Sequence, residues 1–332
     1  MKFSNGCWLQ REGCECFSPA QVYFTKIEAD SVTVCTPTGR INHRGDTLGG
    51  VNLTIQISAP YPEVLRMQVW HHAGLRERAP KFELAPARSG LLRAQESEKL
   101  LTVSSGTLRI EIRKDNASFA FFQGDKKLTG SQYRDLAYMK TDWRGAAYDR
   151  GPEDAYMRQQ LTLGVGELIY GLGKRFGAFV KNGQSVDIWN EDGGTSTEQS
   201  YKNIPFYLSN RGYGVFVNHP ERVSFEVASE MVSRVGFSVP GERLDYFLIG
   251  GPTMKDVLVR YTDIIGKPGM PAPWTFGLWL STSFTTNYDE ATVNSFVDGM
   301  LERGIPLKVF HFDCFWMKEY EWCNFEWDTR QF

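Results

Sequence analysis

Thr275-Phe-Gly-Leu-Trp-Leu-Ser281 and Leu307-Lys-Val-Phe-His-Phe312 are two apolar, strand-like runs, and the residues between them carry a different period. From about Asp289, apolar side chains recur at Val293, Phe296, Val297, Met300 and Leu301, the spacing that gathers them on one face of a helix. Gly304 with Pro306 behind it closes that helix, since glycine ends helices readily and proline cannot continue one. The second run is almost continuously apolar, the expected look of a parallel strand buried on both faces. A strand–helix–strand unit needs neighbours. A complete (β/α)8 barrel takes about 250 residues, whereas roughly 60 follow Pro273. The expectation is therefore the truncated start of a barrel, with a small appendage on the preceding domain as the alternative.

Upstream, Gly266-Lys-Pro-Gly-Met-Pro-Ala-Pro273 breaks the chain repeatedly. Before it, Val257, Leu258, Tyr261 and Ile264 give Met254 to Ile265 a helical spacing. From the start to about Gly250 a period of two dominates instead, in Val51-Asn-Leu-Thr-Ile-Gln-Ile57, Leu65-Arg-Met-Gln-Val69, Leu108-Arg-Ile-Glu-Ile112 and Val223-Ser-Phe-Glu-Val227. Each run places its apolar residues on one sheet face, and Gly124-Asp125 and Arg211-Gly212 supply turns. The fold class expected is an all-β sandwich followed by the truncated start of a (β/α)8 TIM barrel. The domains are an antiparallel β-sandwich over 1–250, a helix and Pro/Gly linker over 251–273, and an incomplete βαβ unit over 274–332.

With 42% hydrophobic and 23% charged residues in 332, disorder is disfavoured. Aromatic residues reach 14%, which suits flat apolar ligands such as sugar rings and equally suits an aromatic sandwich core. A formal charge of −2 without a dense Lys/Arg run argues against nucleic acid. No window approaches the ~20 apolar residues of a membrane helix, and the N-terminus lacks the apolar stretch of a signal peptide. A cytoplasmic protein with no membrane partner is expected. Four of the six cysteines fall at Cys7, Cys14, Cys16 and Cys35. The single residue between Cys14 and Cys16 is too short for common zinc spacing, so they read as free thiols rather than a metal site.

Barrel chemistry gathers past the C-terminal ends of strands. Here those positions hold Thr282, Ser283 and Phe284 after the first run, and Asp313, Cys314, Phe315 and Trp316 after the second. A carboxylate accepts hydrogen bonds from sugar hydroxyls, and Phe or Trp rings cover a pyranose face. A strand-end Asp can equally cap a helix or tie a loop. A second dense stretch is Trp189-Asn-Glu-Asp-Gly-Gly-Thr-Ser-Thr-Glu-Gln-Ser-Tyr-Lys-Asn-Ile-Pro205, with Asp192 its best ligand-facing carboxylate. Gly164-Val-Gly-Glu-Leu-Ile-Tyr-Gly-Leu-Gly-Lys-Arg-Phe-Gly177 fails as a phosphate loop, because Arg175 stands where Ser or Thr is required. Its glycines read as backbone permissiveness at strand turns.

Five stretches together resemble glycoside hydrolase family 31, and within it the bacterial α-xylosidases: Tyr170-Gly-Leu-Gly-Lys-Arg-Phe176, Trp189 to Glu198, Lys202-Asn-Ile-Pro-Phe-Tyr207, Ser281-Thr-Ser-Phe-Thr-Thr-Asn287 and Phe310-His-Phe-Asp-Cys-Phe-Trp-Met317. The resemblance implies a β-sandwich feeding a (β/α)8 barrel, and retaining hydrolysis that releases terminal α-linked D-xylose from an α-xyloside or xyloglucan-type oligosaccharide. It implies that Asp313 holds hydroxyls of the sugar in the −1 subsite, that Asp192 reaches in from the sandwich, and that Phe284 lines the adjoining subsite. Family α-glucosidases place Ile-Asp where this chain has Cys314-Phe315; the ring fills the space of a hydroxymethyl group and removes its hydrogen-bond partner, favouring xylose. Retaining glycosidases need two carboxyl groups about 5 Å apart, and in this family both are aspartates from later barrel strands. No catalytic residue is therefore expected in this chain, which should be inactive alone. No cofactor or metal is implied, and a homo-oligomer is compatible with the family. The rivals are a non-catalytic carbohydrate-binding module and an α-glucosidase.

Overall fold

The computed structural model describes residues 1–5, 9–71, 81–142, 155–192, 197–282, 286 and 289–332. It divides into two compact units, Met1–Gly266 and Lys267–Phe332.

Among the described residues, the first unit is built on three large antiparallel sheets, beside a two-stranded pairing of Ser4–Asn5 with Leu9–Gln10. The largest has the order Ile169–Gly171, Phe206–Ser209, Tyr213–Val217, Arg243–Gly250, Val64–Trp70, Asn52–Ser58, Ser31–Pro37, Phe24–Ile27. A second runs Gln184–Ile188, Val223–Val227, Arg234–Pro240, Ala155–Thr162, Leu136–Thr141, Cys14–Phe17. The third is the meander Leu92–Glu96, Leu100–Ser105, Leu108–Arg113, Phe119–Gln123, Lys126–Ser131. Buried side chains of all three meet in one core, with Val34, Ile55 and Leu248 from the first sheet, Phe225 and Phe237 from the second, and Ile110 from the third. This is the expected sandwich.

The period-two runs explain which face turns inward. Ser31–Pro37 and Asn52–Ser58 alternate half-buried and buried along their length, as a pleated strand with one core face must. Val223–Val227 differs, because all five residues are buried although its sequence alternates. Its second face is closed by polar bonds instead of solvent. Ser224 Oγ donates to Asp187 Oδ1 at 2.6 Å, Ser185 Oγ donates to Glu226, and the Met1 ammonium lies 3.3 Å from Glu226 Oε1. Buried polar groups persist where they are satisfied in this way.

The helix α1, Met254–Ile265, covers the other face of the largest sheet. Thr253 caps it: its hydroxyl accepts from Asp256 N, and Asp256 Oδ2 accepts in return from Thr253 N at 3.0 Å. Val257, Tyr261 and Ile264 pack on Phe206, Phe216 and Phe247, and the Tyr261 ring stacks on Phe206 at 4.0 Å. Burial pushes the Tyr261 phenol up to about 12.

In the second unit, Leu278–Leu280 and Leu307–Phe310 pair in parallel, joined through α2, Glu290–Glu302. Asp289 caps α2 by accepting from Thr292 N at 2.8 Å, and Gly304 N donates to Leu301 O at 2.9 Å where it ends. The pair is not closed on both faces within these residues. Leu307–Phe310 is only partly covered, and Leu278 and Trp279 remain 43% and 45% exposed. Two strands beside one helix offer too little surface to bury both faces of a parallel strand. Among the described residues, no helix is long and apolar enough to cross a membrane.

Candidate functional site

The parallel ladder continues one residue past the second strand, where His311 N donates to Leu280 O at 2.7 Å. Asp313, Cys314, Phe315 and Trp316 follow, all half-buried. They are brought together by a loop that doubles back: Met317 bridges Trp327, and Asp328 N donates to Trp316 O at 2.9 Å. Trp316 meets Trp327 with ring centroids 5.0 Å apart, and Phe315 meets Trp322 at 6.0 Å. The return limb is anchored by Asp328, whose carboxylate accepts from Arg330 Nε at 2.8 Å; this pairing holds the carboxyl down at about 2. Desolvation, then the charge of Asp313, raises the Cys314 thiol. Trp322 and Trp327 were not singled out from the sequence. The signal was present in Tyr320-Glu-Trp-Cys-Asn-Phe-Glu-Trp327, where rings recur every two or three residues. A carboxylate among aromatic rings can accept hydroxyl protons while the rings cover apolar C–H faces.

Asp192 belongs to the first unit and sits on an exposed loop. The Tyr201 hydroxyl bonds its carboxylate, which raises the phenol. The loop is seated by the glycine-rich stretch that failed as a phosphate motif. Gly173 has φ +88°, and a Cβ there would lie 1.9 Å from Lys202 O; at Gly171, with φ +103°, it would lie 2.6 Å from Phe206 O. Only glycine permits both the backbone angle and the approach. The chain can then place Lys174 N 2.9 Å from Lys202 O, with Arg175 between the two limbs of the loop. The Arg175 guanidinium donates to Leu172 O at 3.1 Å, Asp187 O at 2.6 Å, Glu198 O at 3.0 Å and Asn203 Oδ1. Asn203 Nδ2 in turn donates to Trp189 O at 2.7 Å and to Ser200 O at 2.6 Å. Arg222 pairs with Asp187 at 2.9 Å and lies over the Trp189 ring at 5.5 Å. Phe284 lies outside the described residues. Among the described residues, no group of three or more His, Cys, Asp or Glu is placed to hold a metal ion.

The fold is that of an antiparallel sandwich followed by a parallel strand–helix–strand unit, with a carboxylate and rings past its second strand. Residues 54–226 match the glycosyl hydrolase 31 N-terminal galactose mutarotase-like domain, and residues 268–332 match the glycosyl hydrolases family 31 TIM-barrel domain. The chain belongs to glycosyl hydrolase family 31. It is 45% identical to an α-xylosidase of Emericella nidulans, an alignment that covers all of this chain and 44% of the relative. It is 44% identical to the α-xylosidase XylQ of Lactiplantibacillus pentosus, over all of this chain and 42% of the relative. The chain thus spans less than half the length of these two relatives. In fold it resembles a family 31 dextranase of Flavobacterium johnsoniae, with a TM-score of 0.74 and 20% identity over 95% of this chain and 36% of that one. It also resembles an α-xylosidase from a soil metagenome, with a TM-score of 0.69 and 16% identity over 93% of this chain and 44% of that one.

Proposed function

We propose that these residues serve a retaining α-xylosidase that releases terminal α-linked D-xylose from an oligosaccharide. The observation that carries the reading is the identity of 45% and 44%, along the whole chain, to two relatives named as α-xylosidases. The physical argument runs in the same direction. Asp313 accepts hydroxyls of the terminal sugar; Asp192, on its own loop of the first unit, and Phe284 are the further candidates for sugar contact. Cys314 and Phe315 then occupy the space a hydroxymethyl group would need, so glucose loses both room and a hydrogen-bond partner. Differences of this kind shift specificity by about 1–3 kcal/mol, or 10–200-fold. The nucleophile and acid/base pair, about 5 Å apart in a retaining enzyme, is supplied by residues outside these 332. Paired carboxylates need no cofactor for this chemistry.

The test compares aryl α-xyloside with aryl α-glucoside hydrolysis by protein expressed from the complete reading frame. Preference for the xyloside sustains the proposal, and preference for the glucoside overturns it. Sugar binding without turnover of either supports the carbohydrate-binding alternative. The 332-residue chain alone is expected to hydrolyse neither substrate, and measurable turnover by it refutes the assignment of the catalytic pair.

A further inference from the structure

We propose that Arg175 is a positioning residue for Asp192, holding both limbs of the loop that presents this carboxylate to the sugar. The inference rests on the reading that Asp192 touches the substrate, and it names the device that keeps it there. Asp192 is exposed on a polar loop, where the Tyr201 hydroxyl bonds its carboxylate. A second restraint, on the loop backbone, comes from outside the loop. One guanidinium reaches Asp187 O, in the strand that leads into the loop, at 2.6 Å and Glu198 O on the returning limb at 3.0 Å. It also binds the Asn203 side chain, whose amide crosses back to Trp189 O at 2.7 Å. Both limbs are thereby tied to each other and to Leu172 O, 3.1 Å away in the glycine-rich turn. The planar fork of arginine can address several acceptors at fixed angles, which the point charge of lysine cannot.

Loss of this clamp moves a substrate-contacting carboxylate without removing it. Displacements near 1 Å at a positioning group cost on the order of 100-fold in rate. In protein from the complete reading frame, Arg175→Met and Arg175→Lys are both expected to lower kcat/KM for an aryl α-xyloside by about 10–100-fold. Amide exchange is expected to rise over residues 187–192 and 197–204 while Val64–Trp70, in the middle of the largest sheet, stays protected. In an Asp192→Asn background, Arg175→Met should cost less than about twofold more, because the two changes damage one contact.

If Asp192→Asn leaves kcat and KM unchanged, the sugar-contact reading of Asp192 fails and the positioning role falls with it. If Asp192→Asn is damaging but exchange at both limbs is unmoved by Arg175→Met, the positioning proposal alone fails. It fails as well if the losses multiply in the double variant. Should Val64–Trp70 lose protection in Arg175→Met, Asn203→Ala decides the matter by the same readouts, since it releases the loop while leaving Arg175 bonded to backbone.

Discussion

Gly173→Ala measures how much stability depends on one absent methyl group. The backbone there has φ +88°, and a Cβ would fall 1.9 Å from Lys202 O and 3.0 Å from Ile204 N. The left-handed conformation alone costs a non-glycine residue about 1–2 kcal/mol. A carbon and a carbonyl oxygen come no closer than about 3.3 Å, so the carbonyl must retreat by more than about 1 Å. That movement breaks the 2.9 Å bond from Lys174 N to Lys202 O, which contributes about 0.5–1.5 kcal/mol. The expected loss is about 1.5–3.5 kcal/mol, a fall in Tm of roughly 3–14 °C at about 2–4 °C per kcal/mol for a unit of this size. Gly166→Ala is the internal control, because Gly166 has φ +71° with nothing within 4 Å of its Cβ position. It should show only the conformational cost. Urea unfolding followed by tryptophan fluorescence, with calorimetry alongside, gives both numbers. Gly173→Ala proving no more destabilising than Gly166→Ala would refute the reasoning.

Tyr261→Ala removes the ring that stacks on Phe206 at 4.0 Å and should destabilise the first unit by about 3–5 kcal/mol in urea unfolding; Tyr261→Phe should stay within about 1 kcal/mol. Asp328, held at about 2 by Arg330, ionises more readily folded than unfolded, where an Asp titrates near about 3.9. Its contribution is therefore complete above that unfolded value and vanishes as pH falls through about 2. Arg330→Gln should move the loss of near-ultraviolet circular dichroism from the Trp316–Trp327 contact to higher pH, and an unchanged acid profile counts against the pairing. Cys314→Ile with Phe315→Asp should shift the xyloside-to-glucoside ratio of kcat/KM toward glucose by about 10–200-fold, and a ratio that stays put argues that these residues do not face the sugar.

Local periodicity carried much of the architecture into view. Leu108-Arg-Ile-Glu-Ile112 became the strand Leu108–Arg113, Gly124-Asp125 became the turn before Lys126–Ser131, and the helix read from about Asp289 is capped by that residue. These features depend on neighbours in sequence, which propensity and pattern report directly. Sheet order was not legible, because pairings such as Arg243–Gly250 with Val64–Trp70 join distant segments. The buried second face of Val223–Val227 was hidden for a related reason: Ser224 and Glu226 look solvent-facing until Asp187, Ser185 and Met1 arrive from elsewhere. At the site, Asp313 to Trp316 stood out because their residue types sit at a strand end. Arg175 did not, since its acceptors are mostly backbone carbonyls that leave no mark on composition.

The place of Arg243–Gly250, between Tyr213–Val217 and Val64–Trp70, also sets a timetable for the newborn chain. Val64–Trp70 can pair at once with Asn52–Ser58, its neighbour in the order of synthesis. Its other edge waits for a strand made about 170 residues later, roughly 10–35 s at translation rates of about 5–20 residues per second. Throughout that interval an apolar strand with unfilled hydrogen-bonding groups stands open on the ribosome. Chaperone capture, and misfolding when synthesis outpaces it, should concentrate on this seam.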